Sequence, residues 1–320
     1  MFVDRAAMIH LTQLFRLRIP IVCSSKWDVI SALATCLISM ESQYKEIELL
    51  YDEIRRLACL ILNNLSIPKE NKSVIIRSRH WTRLLEQITT VMKLQIPEAT
   101  YLCCICLMNL TMARDAVEPI MMFTPRKESA PDQSSTLRSS GLGLRKSSID
   151  ARDWGKFPTS KRITSRKPTP PRYRRSTSDS PWLDDPNSLL RCLEKLMRDQ
   201  QPFLMSKAFS VEGESIRWAV GLLRNMTIKH RHCVVIAKTE IPALVLGVLE
   251  RTPHHVIKWT NNSTEEMALT VLDQLAASPA GSEKLKDCGA NVVLGAIQTR
   301  AGGSTIVRNK ISSILEYLDR

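Results

Sequence analysis

With 320 residues, of which 44% are hydrophobic and only 5% aromatic, the chain has the apolar content for one elongated array or two globular domains. Its Leu and Ile bias favours packed helices over the β-branched and aromatic strands of a sandwich. The formal net charge is +13, yet residues 126–180 hold 14 Lys or Arg against 5 Asp or Glu, so +9 sits in that stretch and the rest of the chain is not a uniformly basic nucleic-acid-binding body.

The N-terminal part reads as helical. Met8, Leu11, Leu14 and Phe15 mark one apolar face, and Ile30, Leu33, Ala34 and Leu37 mark a second after Pro20. A longer pattern follows from Glu46 to Leu65, with Ile54, Leu57, Ala58 and Ile61 as its buried stripe. Its acidic start and Arg55-Arg56 are expected on the exposed side with i to i+4 pairing. Val74 to Ile76 is a short apolar piece, and a helix through Trp81, Leu84, Leu85, Ile88 and Val91 runs up to Pro97. The next helix, Tyr101 to Leu110, is apolar nearly all round, which predicts a central place in its layer.

At Thr124 the composition changes. Up to Pro186 the chain is rich in Ser, Thr, Pro, Arg and Lys without apolar periodicity, so it cannot bury enough surface to offset the entropy of ordering, and it is expected to be a disordered basic insertion. Order is expected to return at the turn Asp185-Pro186-Asn187-Ser188, which opens a helix carrying Leu189, Leu190, Leu193, Leu196 and Met197. Helical patterns then run through Trp218 to Met226, a short piece from Val234 to Ala237, Leu244 to Leu249, Met267 to Leu275, Leu285 to Cys288, Val292 to Ile297 and a terminal capping helix from Ile306 to Leu318. The domain reading is 1–123, an insertion at 124–187, and 188–320.

Four of these helices end in an amide followed by an apolar residue. The marks fall at Asn64, Asn109, Asn225 and Gln274; the first two are 45 residues apart and the last two 49, a period typical of helical solenoid repeats. Each of the three asparagines opens an Asn-x-Ser/Thr triplet, a glycan acceptor only in a secreted protein and here read as a by-product of the repeat.

The run Val235-Ile236-Ala237-Lys238-Thr239-Glu240-Ile241-Pro242-Ala243-Leu244-Val245 resembles the armadillo repeat, whose second and third helices meet around an Ile-Pro-x-Leu-Val element. Leu285 to Leu294 is similar to a weaker copy with the family's glycine at Gly289. The family's Leu-x-Asn-Leu ending is matched by Leu62-Asn63-Asn64-Leu65 and Leu107-Met108-Asn109-Leu110, and more loosely by Leu223-Arg224-Asn225-Met226. The resemblance covers about three quarters of the chain and implies an all-α, right-handed superhelical solenoid of armadillo-like repeats interrupted by the basic insertion. It also implies a concave groove in which Asn64, Asn109 and Asn225, with Gln274 as a longer amide, pair with the backbone of an extended partner segment. An amide near a helix end equally well satisfies loose carbonyls of its own or the neighbouring repeat, and both roles stand open at this point. The tryptophans that nuclear-import receptors of the family place one turn earlier are replaced here by Leu60, Ile105 and Gly221.

Chemistry-bearing motifs are otherwise sparse. Cys103, Cys104 and Cys106, or His230, His232 and Cys233, lack a second ligand pair at metal-site spacing, so no metal and no cofactor are expected. No phosphate loop, His-Glu-x-x-His or Gly-x-Ser-x-Gly motif occurs, and the chain is read as a non-enzymatic interaction scaffold for a protein or peptide partner. In the insertion, Ser147, Ser148, Ser176, Thr177 and Ser178 follow arginines at the spacing basophilic kinases use, while Thr169 and Ser180 precede prolines. Kinases are therefore expected partners, each phosphate removing nearly two of the insertion's positive charges. The alternative reading is nucleic-acid or cytoskeletal polyanion binding through the insertion. Nine cysteines, an odd number, without a secretory leader suggest a reducing compartment. The expected location is the cytoplasm, and also the nucleus if Lys161-Arg162 and Arg166-Lys167 serve as a localisation signal. No apolar run reaches the roughly 20 residues of a membrane span.

Overall fold

A computed structural model describes residues 45–125, 185–205, 210–251, 263–300 and 305–320. The two apolar patterns before residue 41 and the phosphorylation candidates lie outside the described residues.

Thirteen α-helices are found among the described residues: α1 (Lys45–Ser66), α2 (Lys69–Arg77), α3 (Trp81–Leu94), α4 (Pro97–Thr111), α5 (Val117–Met121), α6 (Leu189–Gln200), α7 (Val211–Met226), α8 (His230–Ala237), α9 (Ile241–Arg251), α10 (Thr264–Ala276), α11 (Pro279–Asp287), α12 (Ala290–Arg300) and α13 (Thr305–Asp319). They repeat in threes: a short helix, a second helix, and a third that packs on the third helix of the next triplet. The third helices stack in series, α1 on α4, α4 on α7, α7 on α10 and α10 on α13. The second helices make a parallel column, α3 on α6, α6 on α9 and α9 on α12. Complete triplets are therefore α2–α3–α4, α5–α6–α7, α8–α9–α10 and α11–α12–α13, with α1 in the third-helix place ahead of them.

Local chemistry sets the boundaries. Serine hydroxyls cap four helices by accepting from backbone N–H groups of the first turn: Ser188 from Arg191 at 3.4 Å, Ser210 from Gly213 at 2.9 Å, Ser263 from Glu266 at 3.2 Å and Ser278 from Gly281 at 3.1 Å. Pro97 and Pro279 stand in the first turn of α4 and α11, where the missing N–H costs nothing. Gly289 links α11 to α12 at φ +73°, a backbone region that a β-carbon disfavours.

The core is one continuous sheath between the columns. Leu62, Leu107, Leu110, Leu222, Leu223, Leu272 and Ile314 of the third helices are wholly buried, and α4 is buried on most of its circumference, as its all-round apolar pattern predicts. Cys59, Cys103, Cys104 and Cys106 belong to this core. Burial pushes the Cys104 and Cys106 thiols up to about 12, which keeps them neutral.

Two details differ from the expectations. The apolar piece around Val74 to Ile76 is the end of a full helix, α2, that begins just after Pro68. Arg55 is not on the exposed side: it is buried and bonded to Asp52, while Arg56 chelates Glu53, so the pairs on α1 are i to i+3. In chain order the basic segment falls inside a triplet, after the short first helix α5 and before the second helix α6. In the other triplets that link spans only 78–80, 238–240 or 288–289. The Phe123 carbonyl accepts from Leu189 N–H at 3.2 Å, so the triplet closes across residues 124–188 by one hydrogen bond.

Candidate partner-binding face

Each third helix begins near one edge of the stack and ends near the other, so residues at matching heights on successive third helices form rows. The row of amides is the one the repeat marks. Asn109 Nδ2 donates to Asn63 Oδ1 at 3.3 Å and to Ser66 Oγ at 3.2 Å. One repeat later Asn225 Nδ2 donates to the Met108 carbonyl and to Thr111 Oγ1, both at 3.1 Å. At the next seam Thr227 Oγ1 donates to Gln274 Oε1. The amides and the hydroxyls thus stitch each third helix to the one before it.

This arrangement gives Asn109 and Asn225 the inter-repeat role among the two left open by the sequence. An amide nitrogen has two protons, and in Asn109 and Asn225 both are spent on the preceding repeat, so the donor half of the expected pairing with a partner backbone is not on offer there. Asn64 holds the equivalent place on α1, and its Nδ2 is buried with no partner among the described residues. Gln274 uses Oε1 within the ladder, and its nitrogen has no bond among the described residues.

The ladder also explains the Asn-x-Ser/Thr triplets. In the triplets at Asn109 and Asn225 the asparagine reaches back one repeat, and in all three the hydroxyl two residues on, Ser66, Thr111 or Thr227, meets the amide of the repeat that follows. The triplet is a stitch written at one period. Ser66, Thr111, Thr227 and Asn63 were missed as a set, although the coincidence of the triplet with the repeat was the signal that could have found them.

One turn before the amides, Gly221 takes the place of a larger residue. A β-carbon there would lie 3.0 Å from Met108 Sδ and 3.2 Å from Met267 Sδ, so the methionines of both neighbours fill the position. Trp218 is half-buried against the core, with the Arg217 guanidinium 5.2 Å from its ring centroid.

Nearer the start of the third helices a cavity of about 260 Å³ opens between α1, α4 and α7, lined by Arg56, Leu60, Glu98, Tyr101, Leu102 and Val211. Its walls are largely apolar and its polar edge is an ion pair: Arg56 Nε lies 2.8 Å from Glu53 and 3.4 Å from Glu98. The Glu53 hydrogen bond raises the Arg56 pKa further, so the guanidinium is a permanent cation at the mouth.

On α10 and α13 the same face is closed by its own contacts. Lys310 Nζ reaches Glu266 at 3.0 Å and Thr270 at 2.8 Å, and Ser313 Oγ donates to Asp273 at 3.2 Å.

The residues weighed as metal ligands are spent elsewhere. Cys103 Sγ lies 3.5 Å from Cys59 Sγ, His232 Nδ1 is 2.9 Å from the Met226 carbonyl, and Cys233 Sγ is 3.1 Å from the Thr227 carbonyl.

No family model matches the chain, and no curated protein matches it. Solved structures do. A designed armadillo repeat protein is similar over 99% of this chain and 95% of its own, with 12% identity and a TM-score of 0.55. A second designed armadillo repeat protein, solved in complex with the peptide (KR)4, is similar over 98% of this chain and 92% of its own, with 11% identity and a TM-score of 0.52. An engineered protein is similar over 99% and 94%, with 10% identity and a TM-score of 0.53. At these identities the likeness is one of fold, and the fold is the armadillo-type helical solenoid.

Proposed function

We propose that this armadillo-type solenoid is a non-enzymatic scaffold that holds a segment of a protein partner against its third-helix face. The carrying observation is the apolar cavity between α1, α4 and α7, large enough for one bulky side chain and bordered by the Arg56–Glu98 pair, which can orient the backbone or a charged neighbour of that side chain. The designed armadillo protein that carries a bound peptide on the same fold supports the reading. In this scheme Asn109 and Asn225 offer acceptor oxygens, and Gln274 offers a nitrogen, to the partner backbone.

Because Asn109 and Asn225 hold repeats together, replacing them confounds binding with stability, and the test belongs at the cavity. Tyr101→Ala and Leu60→Ala together should reduce capture of a direct partner roughly tenfold or more at a temperature where circular dichroism shows the variant folded. Partners retained in full by a folded double variant would refute the assignment of this face.

Phosphorylation at Ser147, Ser148, Thr169, Ser176, Thr177, Ser178 and Ser180 is proposed to tune that binding by cancelling the charge of the insertion. A second reading rests on the 14 basic residues of 126–180: binding to a nucleic acid or a cytoskeletal polyanion. It requires a steep loss of affinity with salt and complete loss when 126–180 is deleted. Equal binding by the deletion protein would exclude it.

A further inference from the structure

A second surface lies at the opposite end of the third helices from the cavity. Just beyond the ends of α1, α4 and α7 the chain carries Ile67, Met112 and Ile228, each three residues after the aligned amide; Ile67 is half-buried, Met112 65% exposed and Ile228 64% exposed. The amide ladder holds the preceding turns together, Asn109 on Ser66 and Asn225 on Thr111, so the three side chains stand in single file at the spacing of neighbouring helices, about 8–10 Å.

Set into this file is a cation with no carboxylate partner among the described residues. Lys72 on α2 is only 7% exposed, and its Nζ donates to Met112 Sδ at 3.7 Å, a weak acceptor. No carboxylate among the described residues pairs with it. Burial lowers the Lys72 pKa, the sign of an ammonium that lacks solvent and gains nothing in return. Arg231, by contrast, is matched by Glu118. A buried ammonium set against an exposed thioether, with no carboxylate partner among the described residues, has the layout of a site whose anion arrives with the ligand.

We propose that the Ile67–Met112–Ile228 file with Lys72 is a docking strip for an extended acidic peptide, in which apolar side chains every third residue cover the file and an intervening Glu or Asp carboxylate reaches Lys72 Nζ. The spacing follows from an extended, polyproline-II-like peptide, in which about 3.1 Å per residue and three residues per turn bring every third side chain back to the same face. The recessed position of the ammonium selects a projecting carboxylate over a planar anionic lipid surface, whose headgroups cannot dip between Ile67 and Met112. This strip is separate from the cavity face, and its occupancy does not depend on the cavity being used.

The probe is a fluorescent peptide of four Leu-Glu-Ser units, compared with the same peptide carrying Gln for Glu, added to the full chain with ¹³C-methyl methionine. The acidic peptide is expected to bind, to shift the Met112 methyl signal assigned through Met112→Leu, and to lose roughly tenfold or more of its affinity with Lys72→Met, which keeps the apolar stem. Tyr101→Ala should leave this binding unchanged, which separates it from the function proposed above. Equal affinity of the Gln peptide, equal affinity of a folded Lys72→Met protein, binding only to phosphatidylserine vesicles, or burial of the Met112 methyl by self-association would each overturn the proposal.

Discussion

The face formed by α1, α4 and α7 and the face formed by α7, α10 and α13 are built from the same element in the same stack, yet they end differently. The first keeps an apolar cavity with one ion pair at its edge; the second is crossed by Lys310–Glu266, Lys310–Thr270 and Ser313–Asp273 contacts. The fold fixes the backbone of both faces. What separates them is whether side chains at equivalent heights satisfy one another, and only the unsatisfied half leaves surface whose burial by a partner is favourable.

The comparison can be broken most severely at its shared support. Leu110→Ala removes a wholly buried side chain from α4, which carries the cavity on one side and packs on α7 on the other. It should cost about 2–5 kcal/mol. Chemical denaturation followed by hydrogen exchange should show loss of protection in α1 and in α7. Loss confined to residues before 125 would mean that the two halves fold independently.

A smaller effect sharpens the comparison at the amide ladder. Asn225→Ala removes the amide that donates to the Met108 carbonyl and to Thr111 Oγ1 and should destabilise by about 1–3 kcal/mol. Asn64→Ala removes a buried nitrogen that has no partner among the described residues and should be near neutral. Equal melting temperatures for the two variants would contradict the ladder.

A pH-dependent difference should appear in the second half alone. Burial holds the His232 imidazole below its ordinary value, opposed by the Nδ1 contact with the Met226 carbonyl, and Nε2 is buried without a partner. Arg231 and Lys229 push in the same direction as burial, and Glu118 against it. Because the folded value lies below the unfolded value of about 6.5, the neutral ring's contribution is complete above that pH and is lost as pH falls through the folded value. Between about pH 7.5 and pH 5.5 the melting temperature should fall further for the natural protein than for His232→Phe. Identical slopes would remove His232 from the account.

The smallest effect is expected from the insertion. Replacing 126–184 by a short Gly/Ser linker should change stability by about 1 kcal/mol or less, since closure entropy alters by only about 0.6 kcal/mol per doubling of length. A large loss would mean that those residues contribute contacts to the solenoid.

Much of the architecture was legible because third helices write strong signals: long apolar periods in Tyr101 to Leu110 and Met267 to Leu275, an amide at the end, and Gly289 at a turn that needs positive φ. The first helices write weak ones. α2 has few apolar residues, so only Val74 to Ile76 stood out, and α5 is a single turn with Pro119 inside it, too short for any period. That is why the position of the insertion within a triplet could not be read: its near edge is a helix without a pattern. The amide partners were hidden for another reason. Asn225 and Thr111 are 114 residues apart, and their contact depends on the stack closing over the insertion.

That closure has a consequence for how the molecule can be cut. A peptide bond broken anywhere in 126–184 leaves two chains that still share the α4–α7 packing, the Asn225 bonds to Met108 and Thr111, and the Phe123–Leu189 hydrogen bond. The covalent link is thus redundant with the seam beneath it, and the two pieces, expressed separately, are natural halves for a complementation pair whose reassembly reports on the seam itself.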